Sequence, residues 1–216
     1  MRNLAGYMFL ACLLILSSCA GVMNDQEGNP LKVVTIGKQL WMAENLNVSH
    51  YRNGDTITRA RSQEDWVRLG AEGKPAWCLE TTLQENTNKS GRLYNCFAVI
   101  DPRGLAPKGW HIPTDEEWTQ LVRYLGGDVL AAMKMRTSLS SSAVDEAGAN
   151  GFSGLPRGGC SPSGVFFGNG SNGYWWSATD AGAEAAWGLQ LNYLHCIVNQ
   201  VSNLKGYGFS VRCIKD

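Results

Sequence analysis

The chain has 216 residues, with 19 Lys plus Arg against 19 Asp plus Glu and a formal net charge of zero. That balance, with no basic run or stripe, excludes the electrostatic footprint of a nucleic-acid binder, and the length predicts one domain with room for a good core. Charged residues make up only 18% while Gly (25) and Trp (8) are plentiful, which suits a loop-rich extracellular domain better than a helical bundle.

The first eighteen positions have the order of features required for export. Arg2 supplies the positive end, Leu4 to Leu16 an apolar run, and Ser17-Ser18 a small-residue cleavage site. As a helix the apolar run would cover about 20 Å, short of a ~30 Å hydrocarbon core. Leu16-Ser17-Ser18-Cys19 resembles the lipobox of bacterial lipoprotein signal peptides. That resemblance implies cleavage before Cys19, a diacylglycerol on its sulfur, and a protein held to membrane lipid by two or more acyl chains. Ala20 rather than an acidic residue follows, which favours the outer membrane and the cell surface, with the periplasmic face as the other possibility. Residues 20–31 (AGVMNDQEGNPL) read as a short polar tether, and residues 32–216 as the single domain.

Val33-Val34-Thr35-Ile36, Gly37-Lys38, Gln39-Leu40-Trp41-Met42 predicts a β-hairpin closed by a II′ turn with Gly37 at its first central position. Ser62 to Asp65, followed by Trp66 and Leu69, predicts a short capped helix ending at Gly70. After Pro113, Thr114 and Glu117 form a capping box, and Trp118, Leu121, Val122 and Leu125 fall on one apolar face that stops at Gly126-Gly127. Asp128 to Met135 offers a further turn or two of helix. From Gly148 to Trp176 glycine dominates, mixed with Ser, Asn and Pro, and so long a stretch reads as irregular loops and short hairpins or as a binding surface. Three alternating runs follow: Trp187 to Tyr193, Leu194 to Val198, and Tyr207 to Cys213.

Five cysteines lie beyond Cys19: Cys78, Cys96, Cys160, Cys196 and Cys213. An exported chain permits disulfides, and the odd count leaves at least one thiol over. Cys196 and Cys213 both fall on the inward face of their runs, so this pair is preferred, with Cys78–Cys96 second and Cys160 remaining. The competing reading, that these are reduced and buried small hydrophobes, has equal weight.

Several stretches carry a family resemblance. Val34-Thr-Ile-Gly37-Lys-Gln39-Leu-Trp41-Met-Ala-Glu44-Asn45-Leu-Asn47 opens the series. Trp77-Cys78, Gly91-Arg-Leu-Tyr94, Pro107-Lys-Gly-Trp110-His111-Ile-Pro113 and Glu117-Trp118 continue it. Gly151-Phe-Ser-Gly-Leu-Pro156, Gly173-Tyr-Trp-Trp176-Ser-Ala-Thr179 and Gly208-Phe-Ser-Val-Arg-Cys213 complete it. In this order they resemble the Fibrobacter succinogenes major paralogous domain, a family of secreted and lipid-anchored surface proteins. A more distant likeness, through the Gly-Phe-containing closing strand and Arg157-Gly158-Gly159-Cys160, is to the C-type-lectin-like fold of formylglycine-generating enzymes. It implies an α+β architecture: a small, twisted, mostly antiparallel sheet with two helices and a long Gly-rich loop region.

Chemistry is sparse. His50, His111 and His195 have no local partners, and His111 reads as a hydrogen-bonded structural histidine. The paired cysteines needed for formylglycine chemistry are missing, as are the Glu-Pro-Asn and Trp-Asn-Asp triplets of calcium lectins. The Gly-rich stretch contains no carboxylate, so neither metal nor other cofactor is expected. Phe167, Tyr174, Trp175 and Trp176 are candidate ligand contacts. Adjacent strand residues face opposite sides, which predicts that one of Trp175 and Trp176 reaches the surface. Arg212 reads as a structural salt bridge or carbonyl contact. Together these features predict a lipid-anchored, non-enzymatic module binding a glycan or a surface protein. The alternatives are an enzyme using Cys160 as a reactive thiol, or a structural envelope component.

Overall fold

The structure, a computed structural model, describes residues 23–79, 91–136 and 150–216. The leader, Cys19 and residues 20–22 lie outside the described residues.

The N-terminal hairpin forms in the expected register. β1 (Val33–Ile36) pairs antiparallel with β2 (Gln39–Met42). Gly37 adopts φ +63°, the left-handed value that a II′ turn demands at this position. Next come β3 (Thr58–Arg59), α1 (Gln63–Ala71) and β4 (Ala76–Cys78). The Ser62 hydroxyl caps α1 by accepting from the Asp65 amide at 3.2 Å. β5 (Leu93–Asn95) leads into the short α2 (Cys96–Val99), and β6 (Trp110–His111) precedes α3 (Asp115–Leu125). The capping box is present in both directions: Glu117 N donates to Thr114 Oγ1 at 3.3 Å, and Thr114 N to Glu117 Oε2 at 2.8 Å. Gly126, in the left-handed conformation, ends α3, and α4 (Asp128–Met135) follows at once.

The described part of the Gly-rich stretch forms hairpin strands rather than one long loop region. It builds β7 (Arg157–Cys160) and β8 (Phe166–Asn169), which pair antiparallel, and the long β9 (Asn172–Asp180). The glycines admit close neighbours: a Cβ on Gly158 would lie 1.9 Å from the Phe167 carbonyl oxygen, and one on Gly159 would lie 2.8 Å from the Phe209 ring. β10 (Ala185–Asn192), β11 (Ile197–Leu204), β12 (Gly208–Phe209) and β13 (Ile214–Lys215) complete the chain.

The strands make two open sheets. One has four strands in the order β1-β2-β13-β6; the other has nine, in the order β11-β10-β9-β7-β12-β5-β4-β3 with β8 against β7. Pairing is antiparallel except for β3 with β4 and β7 with β9. The architecture is thus α+β and mostly sheet, but the sheet is not small, and four helices rather than two stand among the described residues. The expected closing strand from Tyr207 to Cys213 divides between the sheets, because the chain leaves the large sheet after Phe209 and joins the small one at Ile214.

Around Trp175 and Trp176 the large sheet is buried on both faces. Trp175, Leu189, Leu191 and Val198 pack on one side with Trp118 of α3 and Met135 of α4. Trp176 and Phe209 pack on the other with Tyr94, Met42 and Val211. Alternation along β9 therefore holds, yet Trp175 and Trp176 are both 0% exposed. A strand between two cores buries its odd and even positions alike.

The expected tether is also partly folded. Residues 23–31 lie on the domain, with Leu31 N bonded to Met23 O at 2.7 Å and both side chains packed against the core.

Candidate functional site

Of the four expected ligand contacts, Trp175 and Trp176 are core residues. Trp175 Nε1 donates to Asn45 Oδ1 at 2.8 Å and Trp176 Nε1 to the Tyr94 carbonyl at 2.8 Å, so both polar handles are used internally. Phe167 and Tyr174 are half-buried and adjacent. Their rings meet edge to face at 5.5 Å, and Phe167 meets Tyr207 likewise at 5.9 Å. Tyr174 stacks on buried Phe209 at 4.9 Å and 14°, which fixes its ring.

The register of β9, β10 and β11 extends this aromatic edge into a row of amides. Gln190 stands opposite both Tyr174 and Asn199. Gln190 Nε2 donates to the Tyr174 hydroxyl oxygen at 3.1 Å and to Asn172 Oδ1 at 2.9 Å, while its Oε1 accepts from Asn199 Nδ2 at 3.2 Å. Both amide hydrogens of Gln190 are used, so the row is held in one arrangement. Burial raises the Tyr174 pKa against the opposing hydrogen bond from Gln190, so the phenol keeps its proton. With its oxygen accepting from Gln190, the hydroxyl hydrogen remains a donor for a ligand. The site thus combines ring edges, the Tyr174 hydroxyl and neutral amides, with no charged member. Tyr207, Asn172, Gln190 and Asn199 are absent from the sequence-based candidates. The signal was the polar half of the β10 alternation, Gln190 between Leu189 and Leu191.

Among the described residues, other concavities lie elsewhere. One of about 620 Å³ is floored by Trp118, Val122, Leu189 and Val198. A second, of about 370 Å³, is polar and includes Lys32, Glu44, Asn47 and Arg92. A third, of about 270 Å³, holds Cys160 beside Trp66, Arg59 and Arg61, and no histidine lines it. Cys160 itself is 1% exposed, and its sulfur lies 3.7 Å from the Ser161 carbonyl oxygen.

No disulfide joins the described cysteines, in correction of both expected pairs. Cys196 sits half-buried in the β10–β11 turn, where Arg136 Nη1 approaches its sulfur at 3.5 Å, whereas Cys213 is buried in the main core. Cys196 lies in a turn of the large sheet, whereas Cys213 comes after its run has left that sheet for the small one, so a shared inward face is lost. Cys96 packs in that main core, while Cys78 belongs to a separate cluster with Trp66 and Cys160. Burial pushes the Cys96 thiol up to about 12 and raises that of Cys213 as well.

His111 is a structural histidine in the expected sense. Nδ1 meets Asp216 Oδ1 and Nε2 meets Glu117 Oε1, each at 2.8 Å, which ties the small sheet to the start of α3. Partial burial pulls its pKa down, but the two carboxylates outweigh burial and raise it. Arg212, 0% exposed, finds carbonyls rather than a salt bridge. It donates to Ala43 O at 3.2 Å, to Phe152 O, and to Asn45 Oδ1 at 2.5 and 3.2 Å, with its guanidinium 4.2 Å from the Phe152 ring centre. Among the described residues no group of three or more His, Cys, Asp or Glu is placed to hold a metal, and no helix is long and apolar enough to cross a membrane.

The chain belongs to the Fibrobacter succinogenes major domain family, whose model matches residues 34–215. No curated protein and no solved structure matches the chain.

Proposed function

We propose that this family member is a lipid-anchored surface protein of the bacterial outer membrane that binds rather than transforms, with neutral glycans as its ligand class. The preorganised row Asn172–Gln190–Asn199 beside Tyr174 and Phe167 carries the reading. Sugars offer C–H faces to aromatic rings and hydroxyls to amides, and an uncharged row suits an uncharged ligand. The Leu16-Ser17-Ser18-Cys19 sequence supports the anchor, and with it the localisation. The finer fold assignment, C-type-lectin-like, belongs to the same proposal; it is supported by the pairing of β2 with β13, which brings the two ends of the domain together.

The test is a glycan array probed with the acylated protein in detergent. Gln190→Ala removes the hub of the row, and its expected effect on any positive glycan is a loss of about tenfold or more, about 1.4 kcal/mol. Absence of any glycan binding, or binding indifferent to Gln190→Ala and Asn199→Ala, would sink the sugar reading and favour a structural envelope role.

A further inference from the structure

We infer that residues 23–31 form a collar that holds the face around Met23 against the lipid surface, rather than letting the domain float on a flexible tether. The inference rests on the lipid-anchor reading above and specifies how the anchored domain is oriented.

The segment is tied down along its length. Asp25 closes a turn, with its Oδ1 accepting from Glu27 N at 2.8 Å and Asn29 N at 2.9 Å. Gln26 Nε2 reaches two distant carbonyls, His50 O at 2.9 Å and Leu105 O at 3.0 Å. Glu27 Oε1 accepts from Ser49 N at 2.5 Å and Ser49 Oγ at 2.8 Å, and meets His50 Nδ1 at 2.8 Å. Those bonds lower the Glu27 pKa even against the opposing effect of burial, so it stays ionised at neutral pH. Met23 and Leu31 add apolar contact with the main core.

Chain length then decides the geometry. Only Ala20, Gly21 and Val22 separate an acylated Cys19 from the docked Met23. Four residue steps span at most about 14 Å when fully extended. A domain of this size is about 40 Å across, so the leash is a third of its diameter. Were residues 20–31 free instead, thirteen steps would allow about 45 Å, enough for the domain to tumble clear of the surface. Ala20, Gly21 and Val22 carry no charge that would hold them away from the bilayer.

The experiment uses the acylated full chain in phosphatidylethanolamine–phosphatidylglycerol nanodiscs carrying a head-group spin label, with intact mass confirming the acyl chains on Cys19. Amides of residues 23–33 are expected to be attenuated several-fold more than the mean of the domain. Inserting twenty Gly/Ser residues after Gly21, which adds a coil of about 25 Å, is expected to flatten that pattern. The double variant Gln26→Ala, Glu27→Ala is expected to flatten it too, provided near-UV circular dichroism shows a native core; the insertion keeps the test alive if that variant does not fold. Uniform attenuation in the native acylated protein, or a pattern unmoved by the insertion, overturns the collar while leaving the anchor intact. A mature chain without acyl mass overturns both and is distinguished by that mass.

Discussion

Arg212→Met tests the central packing argument most directly. The native guanidinium is wholly buried with no ion pair among the described residues, and burial lowers its pKa to about 9 although the charge of Glu44 opposes the shift. Its removal orphans the carbonyls of Ala43 and Phe152, at about 2 kcal/mol each, and forfeits about 2 kcal/mol of cation–π attraction in a dry site. Asn45 Oδ1 is not orphaned, because Trp175 still donates to it at 2.8 Å. Methionine in turn relieves the cost of burying a charge; taking that as about 3 kcal/mol leaves a net loss of roughly 3 kcal/mol. Against a typical total of about 5–15 kcal/mol, the variant folds but is clearly weakened. Arg212→Lys is expected to lose more, because lysine keeps a buried charge but lacks the planar fork that serves several acceptors at once. Burial would hold the folded pKa of that lysine below its unfolded value. Protonation then favours the unfolded chain, so Arg212→Lys gains stability relative to Arg212→Met as pH rises from neutral towards about 10. Urea titration with an unchanged m-value is the assay. A loss under about 0.5 kcal/mol for Arg212→Met, or a lysine variant as stable as the methionine variant at pH 7, would refute the accounting.

Native-state maleimide labelling is expected to mark Cys196 well before Cys78, Cys96, Cys160 and Cys213, which react on unfolding; mass mapping reads the order, and rapid labelling of Cys160 in folded protein would revive the thiol-enzyme alternative. For His111 the folded pKa is raised, so its contribution is complete below the unfolded value and fades as pH climbs through the folded one. Hydrogen bonds and the His111 charge lower the Glu117 pKa despite burial, so its contribution is present above the unfolded value and fades on acidification. The Tm difference between wild type and His111→Gln is therefore expected to peak near about pH 5.5 and to shrink by about pH 8, and a flat difference across that range would contradict the paired geometry.

The legible parts of the fold were those specified by local rules. The β1–β2 hairpin, the Ser62 cap and the Thr114–Glu117 box each follow from residues within a few positions of one another, and all three formed. Non-local arrangements were not legible. Alternation along β9 correctly sent Trp175 and Trp176 to opposite sides, but nothing in the strand reveals that the helices, with Trp41 and Ile214 of the small sheet, cover one side and Met42, Tyr94 and Val211 the other. The Gly-rich stretch was legible only in part, for a related reason: the short hairpin expected there formed as β7 and β8, but the long β9 did not show in the sequence. At Gly158, with φ +63°, glycine serves both its backbone freedom and the close approach of the Phe167 carbonyl, whereas at Gly159 it makes room for the ring of Phe209, distant along the chain. The cysteine pairing failed because the run from Tyr207 to Cys213 changes sheets partway, which no period-2 pattern announces.

That change of sheet also explains why the family resemblance speaks of fold and says little of function. Asn45, Phe152, Trp175, Ser210 and Arg212 come from four of the stretches that carry it, and all meet at the seam between the two sheets. Asn45 Nδ2 donates to Ser210 Oγ at 3.2 Å, its Oδ1 gathers Trp175 and Arg212, and Arg212 closes on the Phe152 carbonyl. A buried polar network tolerates few substitutions because each member satisfies another, so it leaves a strong mark on sequence without touching a ligand. The amide row of Asn172, Gln190 and Asn199 obeys the opposite logic. Its residues occupy half-exposed positions of an alternating strand pair, where many polar side chains would preserve the fold. Ligand specificity in this architecture is therefore expected to reside in the positions that mark the family least.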